Sequence, residues 1–266
     1  MKSLDQIKIN EITSKDNSKI KELRQLGQKK YRKESGKFLV ENSVIVEDAS
    51  KSGFHFESIF VTTEFIEKNK AKFEAIIKES KISEYYLIDE KINKSFSSLD
   101  TAPGIVAVYQ KPERKIDFNK PIVYLNAIGD PGNLGTILRS ALAFGLKNIV
   151  IDENCVDVFN PKTISAAKDA IFKLNIQFDQ DLKTLKEIKE KMPIISTRLE
   201  KSNGLEILQK EKLFCIVFGS ESHGVQKEIQ ELSDKFIKIP ISEEIESLNV
   251  AVSAGIVFRE IYSSAK

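Results

Sequence analysis

Three short stretches of this 266-residue chain carry polar residues at spacings that suit chemistry. The first is Asp130-Pro131-Gly132-Asn133-Leu134-Gly135, with Arg139 following it; the second is Phe218-Gly219-Ser220-Glu221; the third is Ser247-Leu248-Asn249. Each comes soon after a short apolar run that reads as a β-strand. Ligands of open α/β sheets bind at the carboxyl ends of strands, so the spacing predicts that the three stretches converge on one pocket.

The first stretch predicts a strand, a glycine-bearing turn and a helix. Ile122–Leu125 reads as a buried strand, and the residues after the turn have apolar side chains at helical spacing. We predict that Asn133 caps this helix and that Gly145 ends it. Arg139 falls on the polar face. Glycines allow close backbone approach and a helix N-terminus offers free N–H groups, so this corner suits a ligand, although a capped helix with a surface arginine fits equally well.

The glycine spacing excludes the common nucleotide motifs. Gly129, Gly132 and Gly135 give G-x-x-G-x-x-G rather than the G-x-G-x-x-G of dinucleotide folds. The chain also has no G-x-x-x-x-G-K-[ST] sequence, which excludes a P-loop. A nicotinamide oxidoreductase is therefore disfavoured.

Composition indicates a globular protein, with 41% hydrophobic and 30% charged residues. The net charge of +2 does not by itself imply a nucleic-acid partner. No apolar leader or membrane-length apolar run occurs, so we expect a cytoplasmic protein with no membrane partner. Cys155 and Cys215 are expected to be free thiols. With two histidines in the sequence, His55 and His223, we expect no metal site.

Basic charge is concentrated between Ser14 and Lys37. This segment holds nine Lys or Arg residues against three acids, and Ile20, Leu23 and Leu26 give it an apolar stripe. It reads as a basic helix with either a solvated charged face or a contact surface for a phosphate backbone. The residues predicted to bind RNA are Lys29, Lys30, Arg32 and Lys33.

Strand and helix patterns alternate along the whole chain, which predicts an α/β fold. We expect an N-terminal α/β domain over residues 1–110, a linker over 111–121 and a second domain over 122–266. Repeated strand–helix units in the second domain predict a mostly parallel sheet covered on both faces. Ser247 is a natural N-cap for a final helix that reaches Ser263.

Taken in order, the three stretches, with Ile239-Pro240-Ile241 before the third, resemble the three motifs of the SpoU (TrmH-like) branch of the SPOUT methyltransferases. Phe38-Leu39-Val40-Glu41 is similar to the start of the RNA-binding domain that two-domain members carry. Asn42 departs from the glycine common there, and Glu243-Glu244 occupy a loop that often bears glycine.

The resemblance implies transfer of a methyl group from S-adenosylmethionine to a ribose 2′-hydroxyl of RNA. It also implies a trefoil knot in the C-terminal domain and a homodimer. Ribosomal RNA, 23S rRNA in particular, is the expected substrate; a tRNA methyltransferase and a non-catalytic RNA-binding protein of the same fold are the alternatives. The resemblance assigns catalysis to Arg139, Asn133, Glu221, Ser247 and Asn249. It assigns cofactor binding to Ser196, Thr197, Gly219, Ile239 and Leu248.

The chemistry requires alignment and removal of a hydroxyl proton, because a sulfonium methyl group is already electrophilic. Arginine holds its own proton tightly. Arg139 is therefore expected either to accept a proton transiently in a dry pocket or to stabilise a developing alkoxide as a fixed charge.

Overall fold

A computed structural model describes residues 7–264 except 81, 98, 100 and 199–201. The chain divides into two units: the first contains residues 1–112 and 159–165, and the second contains 113–158 and 166–266. None of the described helices is long and apolar enough to cross a membrane. Within the described ranges, no group of three or more His, Cys, Asp or Glu residues is arranged to hold a metal ion.

The first unit contains a mixed five-stranded sheet in the order β1-β4-β3-β5-β2. Strands β1, β4 and β3 are parallel, and β5 runs antiparallel to both β3 and β2. Its elements are β1 (Lys8–Ile12), α1 (Ser18–Leu26), α2 (Lys29–Ser35), β2 (Lys37–Val40), α3 (Ser43–Lys51), β3 (Ser58–Thr62), α4 (Thr63–Lys68), α5 (Lys70–Glu79), β4 (Glu84–Ile88), α6 (Glu90–Lys94) and β5 (Ile105–Gln110).

The apolar stripe of the basic segment is buried as predicted, since Ile20, Leu23 and Leu26 belong to the core of this unit. The prediction of a single basic helix is wrong, because the segment forms two helices, α1 and α2. The prediction for Arg32 is also corrected: its side chain is buried and donates from Nη1 to the Leu26 carbonyl oxygen at 2.8 Å. Arg32 therefore satisfies a carbonyl at the C-terminus of α1 instead of facing solvent.

The second unit contains a six-stranded sheet in the order β11-β9-β10-β6-β7-β8, and all five strand pairs are parallel. Its elements are β6 (Ile122–Leu125), α7 (Pro131–Ala143), β7 (Asn148–Asp152), α8 (Pro161–Ala167, which spans the boundary between the units), α9 (Ala170–Lys173), β8 (Asn175–Asp179), α10 (Lys183–Lys189), β9 (Ile194–Thr197), a 3₁₀ helix (Leu205–Gln209), β10 (Cys215–Phe218), α11 (Lys227–Leu232), β11 (Lys235–Ile237) and α12 (Val250–Ser264).

Parallel order brings the carboxyl ends of β6, β9, β10 and β11 to one edge of the sheet. Strands β6 and β10 are short and buried throughout, and they lie next to each other at the centre of the sheet. Helices α7 and α12 pack together and run in the same direction, since Asn133 contacts Asn249 near their N-termini and the rings of Phe144 and Tyr262 lie 5.9 Å apart near their C-termini. Both helix N-termini therefore lie at the same edge as the strand ends.

Two predicted helix caps are wrong. The N-cap of α7 is Asp130, whose Oδ1 accepts the backbone N–H of Asn133 at 2.7 Å, and Pro131 takes the first helical position. The N-cap role at α12 belongs to Asn249, whose Oδ1 accepts the N–H of Ala251 at 2.9 Å. In each case the cap side chain leaves another polar residue, Asn133 or Ser247, available for other contacts.

Candidate active site

Asn133 connects the three polar stretches. Its side-chain Nδ2 donates to a carboxylate oxygen of Glu221, and its Oδ1 accepts from Nδ2 of Asn249 at 3.0 Å. The sequence separations are 88 and 116 residues, so only the fold brings these side chains together. The predicted convergence of the three stretches on one site is thus seen directly as contacts between their side chains.

Glu221 lies beside the first turn of α7, where helix geometry favours a negative charge. The first N–H groups of a helix have no partner within it and give the N-terminus a partial positive charge. The Glu221 side chain is exposed and takes its described hydrogen bond from the Asn133 amide. One carboxylate oxygen is thus fixed by Asn133, and Glu221 also lines the cavity described next.

A cavity of about 580 Å³ adjoins this network at the ends of β9, β10 and β11. This volume lies within the usual range for small-molecule sites, roughly 300–1,000 Å³. The predicted site residues in its wall are Thr197, Gly219, Glu221, Ile239, Ser247 and Leu248. Apolar side chains such as Leu205, Ile237 and Ile241 complete the wall, and Arg198, Lys238 and Glu246 add charge.

A tight hairpin shapes one side of the cavity. Ser220 and Gly224 pair across it: the Ser220 N–H donates to the Gly224 carbonyl at 3.1 Å, and the Gly224 N–H donates to the Ser220 carbonyl at 2.9 Å. A Cβ on Gly219 would lie 2.1 Å from the Gly224 carbonyl carbon, so no other residue fits without backbone movement. Gly224 has a φ of +64°, which also favours glycine.

This cavity fits S-adenosylmethionine by its chemistry. The molecule combines a flat nucleoside with a polar amino-acid part, and the wall combines apolar side chains with strand-end backbone and charged groups. Thr197 is held there by its hydroxyl, which donates to the Val217 carbonyl at 3.1 Å. Gly219 also lines the cavity, and the lack of a side chain there lets the backbone of Gly224 pack directly against it.

Ser196 is not brought to the cavity wall. Its side chain is fully buried, and its hydroxyl lies 2.6 Å from that of Ser233. Successive side chains of a strand point to opposite faces of the sheet, so Thr197 reaches the cavity and Ser196 does not. The prediction of Ser196 as a cofactor contact is corrected, because its side chain does not reach the cavity wall.

Arg139 lies on α7 six residues beyond Asn133, about 9 Å further along the helix axis. Its side chain is exposed, as predicted, and it makes no hydrogen bond or ion pair with the described residues. It is not part of the cavity wall. The guanidinium is therefore available to a substrate that approaches α7 from solvent.

Sequence reasoning missed two residues that shape the site. Asp130 was recognisable as the cap because proline favours the first helical position directly after an N-cap. Gly224 had a weaker signal, a glycine five residues after Gly219, which is consistent with a short hairpin. Both act on the backbone of the loops that carry Asn133 and Glu221.

Comparison with known protein families gives a match for each of the two parts of the chain. The sequence model of the SpoU rRNA Methylase family matches residues 120–259, and that of the MRM3-like substrate binding domain matches residues 17–107. The chain is 29% identical to the 23S rRNA (guanosine(2553)-2′-O)-methyltransferase of Bacillus subtilis, over 93% of this chain and 97% of that protein. It is 30% identical to an uncharacterized tRNA/rRNA methyltransferase of Synechocystis sp., over 94% of this chain and 92% of that protein.

The fold agrees with this grouping. The crystal structure of an AdoMet-bound rRNA methyltransferase from Sinorhizobium meliloti superposes with a TM-score of 0.81 and 25% identity, covering 96% of this chain and 98% of that one. The family match spans the three motifs whose side chains meet at Asn133. This chain belongs to the SpoU rRNA methylase family.

Proposed function

We propose that this protein transfers the methyl group of S-adenosylmethionine to a ribose 2′-hydroxyl of 23S rRNA. The observation that carries the proposal is the contact of Asn133 with both Asn249 and Glu221, of which Glu221 lies in the cavity wall. A relative matched over nearly its whole length is a 23S rRNA 2′-O-methyltransferase, which supports the substrate class.

Thr197, Gly219, Ile239 and Leu248 would hold the cofactor, which supplies an electrophilic methyl group when bound. The Gly219–Gly224 hairpin would place its backbone against one side of it. Glu221 and Ser247 also lie in the wall, so their polar groups would be available to the bound reactants. The main contribution of these residues would be to align the cofactor methyl group with the ribose hydroxyl.

Arg139 would act on the ribose. Its guanidinium is exposed and has no partner among the described residues, so it can reach a phosphate or hydroxyl of bound RNA without first breaking a contact. A fixed positive charge next to the 2′-oxygen stabilises negative charge as the proton leaves. Because the arginine guanidinium keeps its proton, this role is favoured over that of a proton acceptor.

The first unit would bind RNA. Its family match is a substrate-binding domain, and Lys29, Lys30 and Lys33 are exposed on α2. Exposed lysines at this density suit the phosphate backbone of RNA. The trefoil knot implied by the family resemblance and a cytoplasmic location stay predictions.

We also infer that two copies associate through α12. Val252 and Ile256 are 51% and 38% exposed and lie one turn apart on the same face. Gly255 lies between them, and a Cβ there would meet no atom within 4 Å. Gly255→Gln should therefore lower the dimer fraction in sedimentation velocity, while Thr136→Gln, at an exposed position of α7, should not. An unchanged dimer fraction in Gly255→Gln would locate the interface elsewhere.

The function is tested by methyl transfer from labelled S-adenosylmethionine to purified 23S rRNA and tRNA that lack modification, followed by mapping of 2′-O-methyl groups. We expect label on 23S rRNA, loss of transfer in Arg139→Ala and normal transfer in Lys147→Ala. Lys147 is an exposed cation at the opposite end of the sheet, next to the start of β7. Label on tRNA alone would refute the substrate, and cofactor binding without any transfer would favour a non-catalytic RNA-binding protein.

A further inference from the structure

A second set of polar contacts lies beneath the candidate site and uses residues outside the three motifs. Asn126 is fully buried directly after β6, and Asp152 is 5% exposed at the end of β7. Nδ2 of Asn126 donates to Oδ2 of Asp152 at 2.6 Å and to Oε1 of Gln226 at 2.9 Å. Oδ1 of Asn126 accepts the backbone N–H of Gln226 at 2.9 Å.

This cluster, Asn126–Asp152–Gln226, joins the ends of two strands to the start of a helix. Asn126 begins the loop that leads to α7, Asp152 ends β7, and Gln226 lies between the Gly219–Gly224 hairpin and α11. A single buried amide thus fixes the loop that carries Asn133 and Arg139 against the hairpin that carries Glu221.

The carboxylate of Asp152 also holds the backbone of the first loop. Its Oδ1 accepts the N–H of Ala127 at 3.0 Å. Ala127 has a φ of +54°, a left-handed conformation that costs a non-glycine residue roughly 1–2 kcal/mol. Such strain persists only where surrounding contacts determine the backbone, and it is common at functional sites.

A neighbouring thiol adds to the same loop. The N–H of Ile128 donates to Sγ of Cys155 at 3.2 Å, and Sγ lies 3.3 Å from the Leu125 carbonyl oxygen. The Ile128 carbonyl accepts the N–H of Val156 at 2.9 Å. The backbone between β6 and α7 is therefore fixed at Ala127 and Ile128, directly before the turn that starts α7.

We propose that Asn126 and Asp152 are positioning residues, which hold the Arg139-bearing helix and the Gly219–Gly224 hairpin at the separation that methyl transfer requires. The inference rests on the proposed methyl transfer. Neither side chain lies in the cavity wall, so they act through the loops and not on cofactor or RNA. A displacement of about 1 Å at a reacting centre lowers rates by up to roughly 100-fold.

The test exchanges the two side chains, which have nearly the same shape. Asn126→Asp places two carboxylates opposite each other, and Asp152→Asn places two amide donors opposite each other. We expect each single variant to lower kcat by about 10- to 100-fold. The double variant N126D/D152N restores a carboxylate–amide pair in reverse order, and its kcat should return to within about fivefold of the parent protein.

Tyr124→Phe is the matched control. Tyr124 lies on β6, two residues before Asn126, and donates a buried hydrogen bond at 3.0 Å to Asp179, which ends β8 and belongs to neither loop. It should lower the thermal unfolding temperature about as much as the single exchanges, with kcat unchanged. Gln226→Ala alters an exposed side chain and should fold normally, yet lower kcat by about threefold or more because one link to the hairpin is lost.

Methyl transfer by the parent protein is measured first, since its absence would overturn the proposed function rather than this inference. With the parent active, a recovered kcat in the double variant and an unaffected Tyr124→Phe would support positioning. Full kcat in the single variants, or equal loss in Tyr124→Phe, would overturn it. Should the buried variants fail to fold, normal kcat in Gln226→Ala would overturn it as well.

Discussion

Replacing Gly219 with alanine would place a methyl group against the opposite side of the hairpin that follows β10. The added Cβ would lie 2.1 Å from the carbonyl carbon of Gly224 and 2.2 Å from its oxygen and from the Val225 nitrogen. Backbone atoms cannot rotate away as a side chain can. The two sides of the hairpin must therefore separate until these contacts reach an ordinary distance of about 3.5 Å.

A separation of this size breaks the two hydrogen bonds between Ser220 and Gly224, which measure 3.1 and 2.9 Å. Each is worth about 0.5–1.5 kcal/mol, and overpacking adds about 1–3 kcal/mol. We take about 3 kcal/mol as the cost of restoring the cofactor-binding shape. Because about 1.4 kcal/mol corresponds to a factor of ten, affinity for S-adenosylmethionine should fall by about 100-fold.

Gly224→Ala is the matched control within the same hairpin. Its φ of +64° makes alanine strained by roughly 1–2 kcal/mol, but the added Cβ would meet no atom within 4 Å. The hairpin should therefore keep its shape and lose at most about 30-fold in affinity. Isothermal titration calorimetry with S-adenosylmethionine measures both affinities, and circular dichroism verifies that both variants are folded.

Parent-like cofactor affinity in Gly219→Ala would refute the steric argument, since the contact distances leave no room for the methyl group. Equal losses in both variants would mean that backbone conformation, and not close approach, governs the hairpin. A loss in Gly219→Ala accompanied by global unfolding would place the effect in the sheet rather than in the cofactor site.

Three further outcomes are expected. Arg32→Ala should destabilise the first unit by about 2 kcal/mol in urea unfolding, because it leaves the Leu26 carbonyl unpaired. Changing Lys29, Lys30 and Lys33 together to Gln should leave stability unchanged and flatten the salt dependence of RNA binding. An unchanged salt dependence would mean that these lysines are solvated and do not contact RNA. Asn249→Ala should lower stability by about 1 kcal/mol through loss of the α12 cap, and Ser247→Ala should not. Thermal unfolding measures both variants, and equal losses of stability would contradict this assignment of the cap. Burial raises the pKa of the Cys155 and Cys215 thiols, and the Asp152 carboxylate adds to the effect at Cys155. Both thiols should therefore react with a disulfide reagent at pH 8 only after denaturation. Rapid reaction of the native protein would show that this part of the core opens.

Several local features were predictable because they depend on neighbouring residues. The apolar runs at Ile122–Leu125 and before Gly219 predicted β-strands, and the structure has β6 and β10 there, side by side in the sheet. The 3.6-residue period after Gly132 predicted α7 with Arg139 on its exposed face. The order of the three motifs indicated the family before any distance was known.

Helix continuity was less predictable. The stretch Phe65–Ser80 reads as one helix and forms two, α4 and α5, with Asn69 between them. The sequence from Pro161 to Phe172 also reads as one helix, but it forms α8 and α9 and is interrupted at Lys168, which has a φ of +57°. Strand β1 and helix α6 were not predicted. Pairing with β4 orders β1, and such tertiary contacts commonly override local propensity.

Tertiary structure alone decided which polar side chains meet. Sequence indicated that Asn133, Glu221 and Asn249 belong to one site, but not that Asn133 bridges the other two, since these contacts span 88 and 116 residues. The burial of Arg32 and the contact of Asn126 with Gln226, 100 residues away, left no periodic signal at all. A side chain's type is fixed by the sequence, but its partner is fixed by where parallel strands end, and that depends on the whole sheet.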